Sequence, residues 1–380
     1  MFLALRDLRF ATGRFALMGA VVALITVLLV MLSGLTAGLG RQNTAVLDGF
    51  GQDGVQRVVF GGTAGQDPAV SFTQSEFTDA QRQVWASTVG VAGVEPVGLS
   101  QGRVVGLASP APEGPVQSAE LDVAAVASAA FVGLAPGAAE APAGLADGAL
   151  VLSRSLAEQA GVAAGGRVEA SGAVYTVAEV VDDSYYSHTP VAWATLHDWT
   201  ALTHATDARV LGTAGLVRFE PGADVEAATA AADAAAHTVA TDVPGSYAAL
   251  PAYSSEHGSL TMMQGFLYGI SALVVVAFLS IWTVQRTREI AVLKALGGST
   301  GWVLRDALAQ GGIVLALGVA VGTAVATAAG RFAAQAVPFV LDATTTVLPA
   351  LGILALGLAG SALAVARVAR IDPLIALGGN

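Results

Sequence analysis

Four long runs of apolar residues, each free of charged side chains, divide the chain. They cover residues 16–39, 261–284, 307–329 and 347–366. A helix needs roughly 20 residues to cross the hydrocarbon core of a bilayer, and each run is about that long or longer. The pattern therefore predicts four transmembrane α-helices.

The segment between the first two runs, residues 40–260, has a mixed pattern that predicts a separate α/β domain. Short β-branched runs bordered by Gly or Asp predict strands, and helical periodicity predicts helices. The predicted strands are 55–60, 149–152, 167–170, 174–181, 191–194 and 215–219, and the predicted helices are 73–89, 156–160 and 225–240. Residues 108–148 are dense in Ala, Pro and Gly, and they predict a poorly ordered excursion or a variable loop.

The two ends of this domain, residues 36–51 and 245–260, carry the first and second helices beyond their apolar runs. They predict helical stalks that make the domain and the membrane helices one mechanical unit. Flexible linkers are the alternative interpretation.

Charge is distributed unequally along the chain. Residues 1–15, 285–306 and 367–380 carry nine of the 18 Lys and Arg residues but only four of the 29 acids, whereas 40–260 and 330–346 carry the rest. The positive-inside rule places the three basic segments, including an amphipathic N-terminal helix and both termini, in the cytoplasm. The domain and the 330–346 loop are then extracytoplasmic, in a plasma membrane. The net charge of −11 belongs to the domain and argues against nucleic acid as a partner.

A cleaved signal peptide is the alternative for the N-terminus, because three Arg residues precede the first apolar run. That run is longer than the usual signal-peptide core of about 7 to 15 residues, so it predicts a permanent anchor. The chain contains no Cys, which excludes disulfides, thiolate metal sites and thiol nucleophiles.

The connector between the second and third runs, residues 285–305, reads QRTREIAVLKALGGSTGWVLR. Its spacing places Ile290, Leu293 and Leu296 on one helical face and the charges on the other, which predicts an amphipathic helix at the membrane surface. The glycines that begin at Gly297 end this helix. A solvated connector whose charges only enforce topology is the alternative.

Three motifs resemble those of one family. The run RTREIAVLKALGGS is similar to the signature that follows the second span in permeases of the FtsX/MacB superfamily, the four-helix subunits of type VII ABC systems. RVARIDPLIAL at 367–377 resembles their C-terminal pattern, and residues 150–181 resemble a segment of their extracytoplasmic domain. A departure is Gln310, where many members carry an acidic residue.

This resemblance implies a homodimer that works with two copies of a separate ABC ATPase. It also implies that the connector forms the coupling helix that docks on the ATPase. The implied coupling residues are Arg286, Arg288, Glu289, Leu293, Lys294, Ala295 and Gly297.

The sequence shows no catalytic motif of its own. It has no GxxxxGK[ST], because its only lysine, Lys294, precedes the glycines, and it has no HExxH. The glycine-rich GGSTG at 297–301 is interpreted as a helix stop and turn. We therefore expect no enzyme activity, no permanently bound cofactor and no metal, with ATP bound by the partner subunit.

Small residues recur at one-turn spacing in the last two apolar runs. Gly318 and Gly322 lie in the third run, and Gly357 and Ser361 lie in the fourth. Such spacing lets helices approach closely, so it predicts that these two helices pack as a rigid pair. Glycine-rich composition alone is the alternative. The absence of charge inside the runs argues against an ion or proton pathway.

The compact size and the opening ALRDLRFATGRFALMG resemble the HrtB-like family of haem-exporting permeases in Gram-positive bacteria. Met, His or Tyr at the outer ends of the first two helices would be axial ligands for haem, and Arg would pair with its acidic edge. The candidate set is Met31, Arg41, Glu256, His257, Met262, Met263 and Tyr268, for which ordinary packing is the alternative. A second group in the domain is Tyr185, Tyr186 and His188, for which a strand end with a polar loop is the alternative.

The resemblance leaves several functions open. Efflux of a hydrophobic or amphipathic molecule, with haem as the favoured substrate, is the first. A mechanotransmission permease that activates a cell-wall hydrolase or a sensor kinase is the second. Extraction of lipoproteins shares the same architecture.

Overall fold

The computed structural model describes residues 12–63, 65–108, 123–285 and 300–368. The chain divides into two compact units. The helical unit comprises the residues up to Leu39 and those from His257 onward, and the domain unit is Gly40–Glu256.

The described helices are α1 (Thr12–Gln52), α2 (Asp79–Ser87), α3 (Arg154–Ala160), α4 (Leu196–Leu202), α5 (Val225–Ala236), α6 (Val243–Ser246), α7 (Pro251–Gln285), α8 (Thr300–Ala333) and α9 (Ala343–Val368). The described strands are β1 (Arg57–Phe60), β2 (Phe77–Thr78), β3 (Val91–Leu107), β4 (Val123–Leu134), β5 (Ala149–Ser153), β6 (Arg167–Ala170), β7 (Ala173–Val181), β8 (Tyr185–Tyr186), β9 (Thr189–Thr195), β10 (Val210–Gly212), β11 (Ala214–Phe219) and β12 (Val239–Thr241).

Helices α1, α7, α8 and α9 are each long and apolar enough to cross a membrane. Because the mixed α/β domain lies between α1 and α7 in the sequence, the predicted fold class is confirmed. Helix α1 is uninterrupted through residues 36–51. The predicted helix over 245–260 is wrong at its start, because α6 and a 3-10 turn, Tyr247–Ala249, precede Pro251.

Glycines bring the helices of the helical unit into close contact. A Cβ atom at Gly318 would lie 2.9 Å from the carbonyl oxygen of Gly19, and one at Gly322 would lie 2.5 Å from that of Ala23. These two glycines therefore let α8 pack on α1, whereas the sequence assigned them to packing between α8 and α9. Small residues on both facing surfaces of α1 and α8 explain this choice.

Helices α8 and α9 nevertheless pack together. A Cβ atom at Gly357 would lie 2.8 Å from a methyl group of Leu315, so this glycine lies at the α8–α9 contact. Position 361 lies within α9, and its side chain is outside the described part of the structure.

The loop between α8 and α9 docks on α1. The ring of Phe339 lies over Gly34, where a Cβ atom would be 2.3 Å from it, and the amide of Val340 donates a hydrogen bond to the Gly34 carbonyl at 3.0 Å. One turn further along α1, a Cβ atom at Gly38 would lie 2.0 Å from the Pro338 carbonyl oxygen. The two glycines are thus required for this contact.

The domain unit is built on one main sheet in the order β12-β1-β11-β3-β4-β9-β5-β7-β6. Strand β3 also pairs with β6. The six strands β3-β4-β9-β5-β7-β6 therefore close into a barrel. Its interior is filled by buried side chains that include Val104, Phe131, Leu152, Val177 and Trp199. A second apolar cluster packs the sheet against the domain end of α1, through residues such as Leu47, Phe60 and Leu216.

The predicted strands at 55–60, 149–152, 167–170, 174–181, 191–194 and 215–219 correspond to β1, β5, β6, β7, β9 and β11. The prediction of a poorly ordered excursion over 108–148 is wrong where β4 runs, since this strand lies inside the sheet between β3 and β9. Its Ala-rich sequence suits crowding on both faces of the strand, because Ala129 is fully buried in the barrel interior and Ala130 is fully buried in the cluster beside α1.

Two predicted helices are shorter in the structure. Helix α2 begins only at Asp79, because Thr78 and Gln81 form a capping box there. Helix α5 ends at Ala236, because His237 adopts a left-handed conformation and β12 follows.

Candidate functional site

The predicted coupling residues, Arg286 to Gly297, lie outside the described residues. Helix α7 is described as far as Gln285, and helix α8 is described from Thr300. The connector's role therefore stays a prediction. In the sequence, the connector lies between α7 and α8.

In the helical unit, the candidate ligands for haem have different surroundings. Met262 and Met263 are 63% and 53% exposed on α7, and Met31 on α1 is half-buried. Tyr268 lies against α9, since a Cβ atom at Gly352 would be 2.9 Å from its ring. Of these residues, Tyr268 is already engaged in helix packing, and the methionines are the more accessible.

His257 is the first residue of the second segment of the helical unit, and its side chain is exposed near the beginning of α7. The two remaining candidates, Arg41 and Glu256, belong to the domain unit, and the structure places them in different surroundings.

Arg41 lines a groove of about 640 Å³ on the domain unit, together with Asp48, Gln52 and Tyr247. The Tyr247 hydroxyl donates a short hydrogen bond to one oxygen of Asp48, and the Thr44 hydroxyl donates to the other at 2.9 Å. Burial and this bond raise the pKa of Tyr247. The carboxylate is thus held by two hydroxyl groups.

Glu256 instead contacts His188, a residue of the second candidate group, and Asn43. Its Oε2 atom lies 2.7 Å from Nε2 of His188 and 3.2 Å from Nδ2 of Asn43. The two tyrosines that precede His188 have other partners. Tyr186 is buried beside Phe72, and burial raises its pKa, while the Tyr185 hydroxyl contacts Ser155. No local pattern links positions 43, 188 and 256, so sequence reasoning could not join them.

An apolar groove of about 420 Å³ lies between α1 and α8 in the helical unit. It is lined by Phe15, Ala16, Gly19, Ala20, Ala23, Val314, Leu317, Gly318 and Val321. Because every lining side chain is apolar or absent, the groove suits an apolar group and offers nothing to an ion. Within the described ranges, no group of three or more His, Cys, Asp or Glu side chains is placed to hold a metal.

A buried ion pair in the domain unit was not predicted from the sequence. Glu140, whose side chain is 1% exposed, accepts a short hydrogen bond from Arg218 on β11. Its Oε2 atom makes no hydrogen bond to any residue that the structure describes. Burial raises the pKa of this carboxyl, and a hydrogen bond from its own backbone amide together with the nearby Arg218 guanidinium only partly offsets that effect.

This raised pKa predicts how the domain responds to pH. A carboxyl whose folded-state pKa exceeds its unfolded value adds stability below the unfolded pKa, and that contribution disappears as pH rises through the folded pKa. We expect Glu140→Gln to flatten this dependence without loss of stability at neutral pH. Arg218→Leu should lower the free energy of unfolding by about 3 kcal/mol, because it leaves a buried carboxylate without its cation.

Thermal unfolding of the full-length protein in detergent, followed at acidic and neutral pH, measures both effects. A larger loss of stability in Glu140→Gln than in Arg218→Leu at neutral pH would contradict this description of the pair.

Residues 262–373 match the family model described as FtsX-like permease C-terminal. This part of the chain, which includes most of α7 and all of α8 and α9, is therefore an FtsX-like permease domain. The resemblance inferred from the connector and the C-terminal motif is confirmed.

The chain is also similar to two curated proteins, both named HrtB and described as permease proteins of a hemin transport system. The protein from Staphylococcus epidermidis is 31% identical over 131 residues, and the one from Staphylococcus haemolyticus is 31% identical over 130 residues. Each match covers 34% of this chain and 37% of the relative, so the similarity spans little more than a third of the relatives' length.

Two solved structures resemble the chain over half its length. One is the periplasmic region of MacB from Actinobacillus actinomycetemcomitans, with 12% identity, a TM-score of 0.33 and coverage of 50% of this chain and 89% of that one. The other is the extracellular domain of the ABC-type transporter YknZ from Gram-positive bacteria, with 12% identity, a TM-score of 0.33 and coverage of 50% and 98%.

Proposed function

We propose that this protein is the permease subunit of an ABC-type exporter. It couples ATP hydrolysis by a separate ATPase subunit to efflux of a hydrophobic or amphipathic molecule from the membrane. The observation that carries the proposal is the FtsX-like permease domain at 262–373, which includes three of the four helices that are long and apolar enough to cross a membrane. Haem is the substrate we favour, because the matched relatives are named for hemin transport.

ATP hydrolysis by the partner subunit is proposed to act on the permease through the connector. Arg288, Glu289 and Lys294 would form the polar contacts with the ATPase, and the dimer would hold two ATPase copies. The excess of Lys and Arg in the short segments supports a cytoplasmic location for the connector and both termini, with the domain outside the cell membrane.

An apolar cargo suits the membrane helices better than an ion does. Intramembrane carboxylates and histidines usually mark proton and ion routes, and the predicted spans contain neither. The groove between α1 and α8 shows that the helical unit can expose an apolar surface beside α1. A molecule that partitions into the bilayer could reach such a surface laterally.

Helix α7 supports the proposed homodimer. Only 11% of its most apolar window is buried, against 33% to 39% for the other three spans. Gly265 and Gly269 lie one turn apart on this helix, and a Cβ atom at either would meet no atom of the described residues within 4 Å. Small residues at this spacing allow close approach of a second helix, so α7 is the surface we assign to the partner copy.

Mechanotransmission is the second candidate function. Helix α1 runs without a break from the first apolar run into the residues of the domain unit. A continuous helix can pass movement to a domain without any cargo, so the same chain could activate a cell-wall hydrolase or a sensor kinase.

Hemin binding tests the favoured substrate. We expect the purified protein to give added hemin a sharp Soret band that is shifted from that of free hemin, because a methionine sulfur is a suitable axial ligand. The band should weaken in Met31→Ala or Met263→Ala. Leu273→Ala, which truncates another exposed side chain of α7, should leave it unchanged and serves as the control.

Hemin tolerance of cells provides the matching functional readout. A strain that lacks the protein should be more sensitive to hemin, and the two methionine variants should restore tolerance incompletely. An unaltered spectrum together with normal tolerance in both variants would rule out the methionine ligands.

A further inference from the structure

The turn between β8 and β9 has an unusual backbone. Strands β8 and β9 pair directly up to Tyr186 and Thr189, so Ser187 and His188 alone form the loop. Both residues have positive φ angles, 50° and 63°. Two-residue hairpin loops with two positive φ values strongly favour Asn-Gly, because other side chains are strained there. The strain at Ser187 and His188 calls for a compensating interaction.

The turn is held on both sides. The amide of Ser187 donates a hydrogen bond to the carbonyl of Asn43 at 3.0 Å, and the amide of His188 donates to that of Gln42 at 2.8 Å. Both carbonyls belong to helix α1. From the barrel side, the Gln101 side chain on β3 donates to the Ser187 carbonyl and the Thr189 hydroxyl. The turn therefore bridges the barrel and α1 within the domain unit.

The imidazole of His188 extends this bridge to α7. Its Nε2 atom lies 2.7 Å from Glu256 Oε2 and 2.9 Å from Asn43 Nδ2, and those two atoms are 3.2 Å apart. An ionised carboxylate only accepts hydrogen bonds, so Nε2 must carry a proton and donate to Glu256. Asn43 Nδ2 is also a donor, and both N–H groups therefore converge on one carboxylate oxygen.

Partial burial strengthens the two hydrogen bonds to Glu256. Asn43 is 1% exposed, and the His188 and Glu256 side chains are both partly covered. Hydrogen bonds to an ionised group are stronger than neutral ones, and partial exclusion of water strengthens them further. The Oε2 atom of Glu256 on α7 thus accepts hydrogen bonds from Asn43 on α1 and from His188 in the turn.

We propose that the β8–β9 turn is a latch that joins α1, α7 and the barrel inside the domain unit, with His188 as its positioning residue. Movement of α7 relative to α1 breaks the two hydrogen bonds to Glu256. The turn is then released, and the force that it exerts on β3 changes. The latch rests on the proposed permease function for the source of that movement, but its closed state is a property of this chain alone.

Hydrogen–deuterium exchange on the full-length protein in lipid nanodiscs tests the closed state without any ATPase. His188→Gly suits the backbone of the turn, so the variant should fold, while it deletes the imidazole. We expect exchange at the amides of residues 187 and 188 to accelerate about tenfold or more, the usual worth of a hydrogen bond to a charged group. Glu256→Gln, which keeps the shape but removes the charge, should give a smaller acceleration.

His237→Gly is the matched control. His237 also has a positive φ, 52°, but it lies at the exposed end of α5, where its Nε2 atom is 3.6 Å from an oxygen of Asp67. The same relief of backbone strain should therefore leave exchange at residues 187 and 188 unchanged. Unchanged exchange in His188→Gly, or equal acceleration in both glycine variants, would contradict the proposal that this turn is a latch.

The complex with the cognate ATPase then separates the latch from the proposed function. If the latch transmits movement, His188→Gly should keep the rate of ATP hydrolysis but lower ATP-driven export, or activation of a partner, about tenfold. His237→Gly should keep both activities. Full output from His188→Gly would overturn the role of the latch in transmission. If the unaltered complex shows neither export nor activation of a partner, the proposed function fails, whatever the exchange data show.

Discussion

Gly38→Ala should destabilise the helical unit by about 3 kcal/mol, the upper part of the range for inserting one methyl group into a packed contact. The new Cβ atom would lie 2.0 Å from the Pro338 carbonyl oxygen and 2.8 Å from the Phe339 nitrogen. All these atoms are backbone, so no side chain can rotate away. The loop between α8 and α9 must lift off α1, which also breaks the hydrogen bond from Val340 to Gly34.

The control lies two residues further along the same helix. A Cβ atom at Gly40 would have no neighbour within 4 Å in the part of the chain that the structure describes, so Gly40→Ala should stabilise α1 by up to about 1 kcal/mol through helix propensity alone. Thermal unfolding in detergent measures both variants. Equal stability of Gly38→Ala and Gly40→Ala would show that the loop does not rest on α1 as described.

Glu289→Lys should abolish coupling to the ATPase. Reversal of a charge in a close interface pair costs about 2 to 5 kcal/mol, which corresponds to about 30-fold or more in affinity. The variant adds a cation to a segment that already follows the positive-inside rule, so membrane insertion should be unaffected. The measurement is stimulation of ATP hydrolysis when the permease is reconstituted with the ATPase.

Asp7→Lys provides the matching control, because it makes the same change of charge in the N-terminal segment. It should leave stimulation intact. Normal stimulation by Glu289→Lys would show that the connector is not the docking element, even if the protein is a permease.

The membrane architecture was predictable because its cause is local. A transmembrane helix needs only a long uncharged run, so four runs in the sequence became α1, α7, α8 and α9. Strand β6 was predictable for a similar reason, since apolar Val168 and Ala170 alternate with charged residues between Gly-containing turn signals. The FtsX-like domain was predictable from the connector and the C-terminal motif, which are contiguous segments.

The features that were missed depend on contacts between distant residues. Strand β4 reads as a loop because it is rich in Ala, and only the barrel around it explains why small side chains are needed there. Gly318 and Gly322 were correctly singled out, but spacing within one helix does not say which neighbour the glycines face. The convergence of Asn43 and His188 on Glu256 joins positions more than 200 residues apart at its extremes.

The orientation of the chain is the claim on which the proposed coupling depends most directly. The protein has no cysteine, so a single introduced cysteine reports on one position. In intact cells, a membrane-impermeant maleimide should label Val89→Cys, an exposed position of the domain, and should label Ile290→Cys in the connector only after the cells are opened. Labelling of Ile290→Cys from outside intact cells would contradict the account, because the connector could not then reach an ATPase in the cytoplasm.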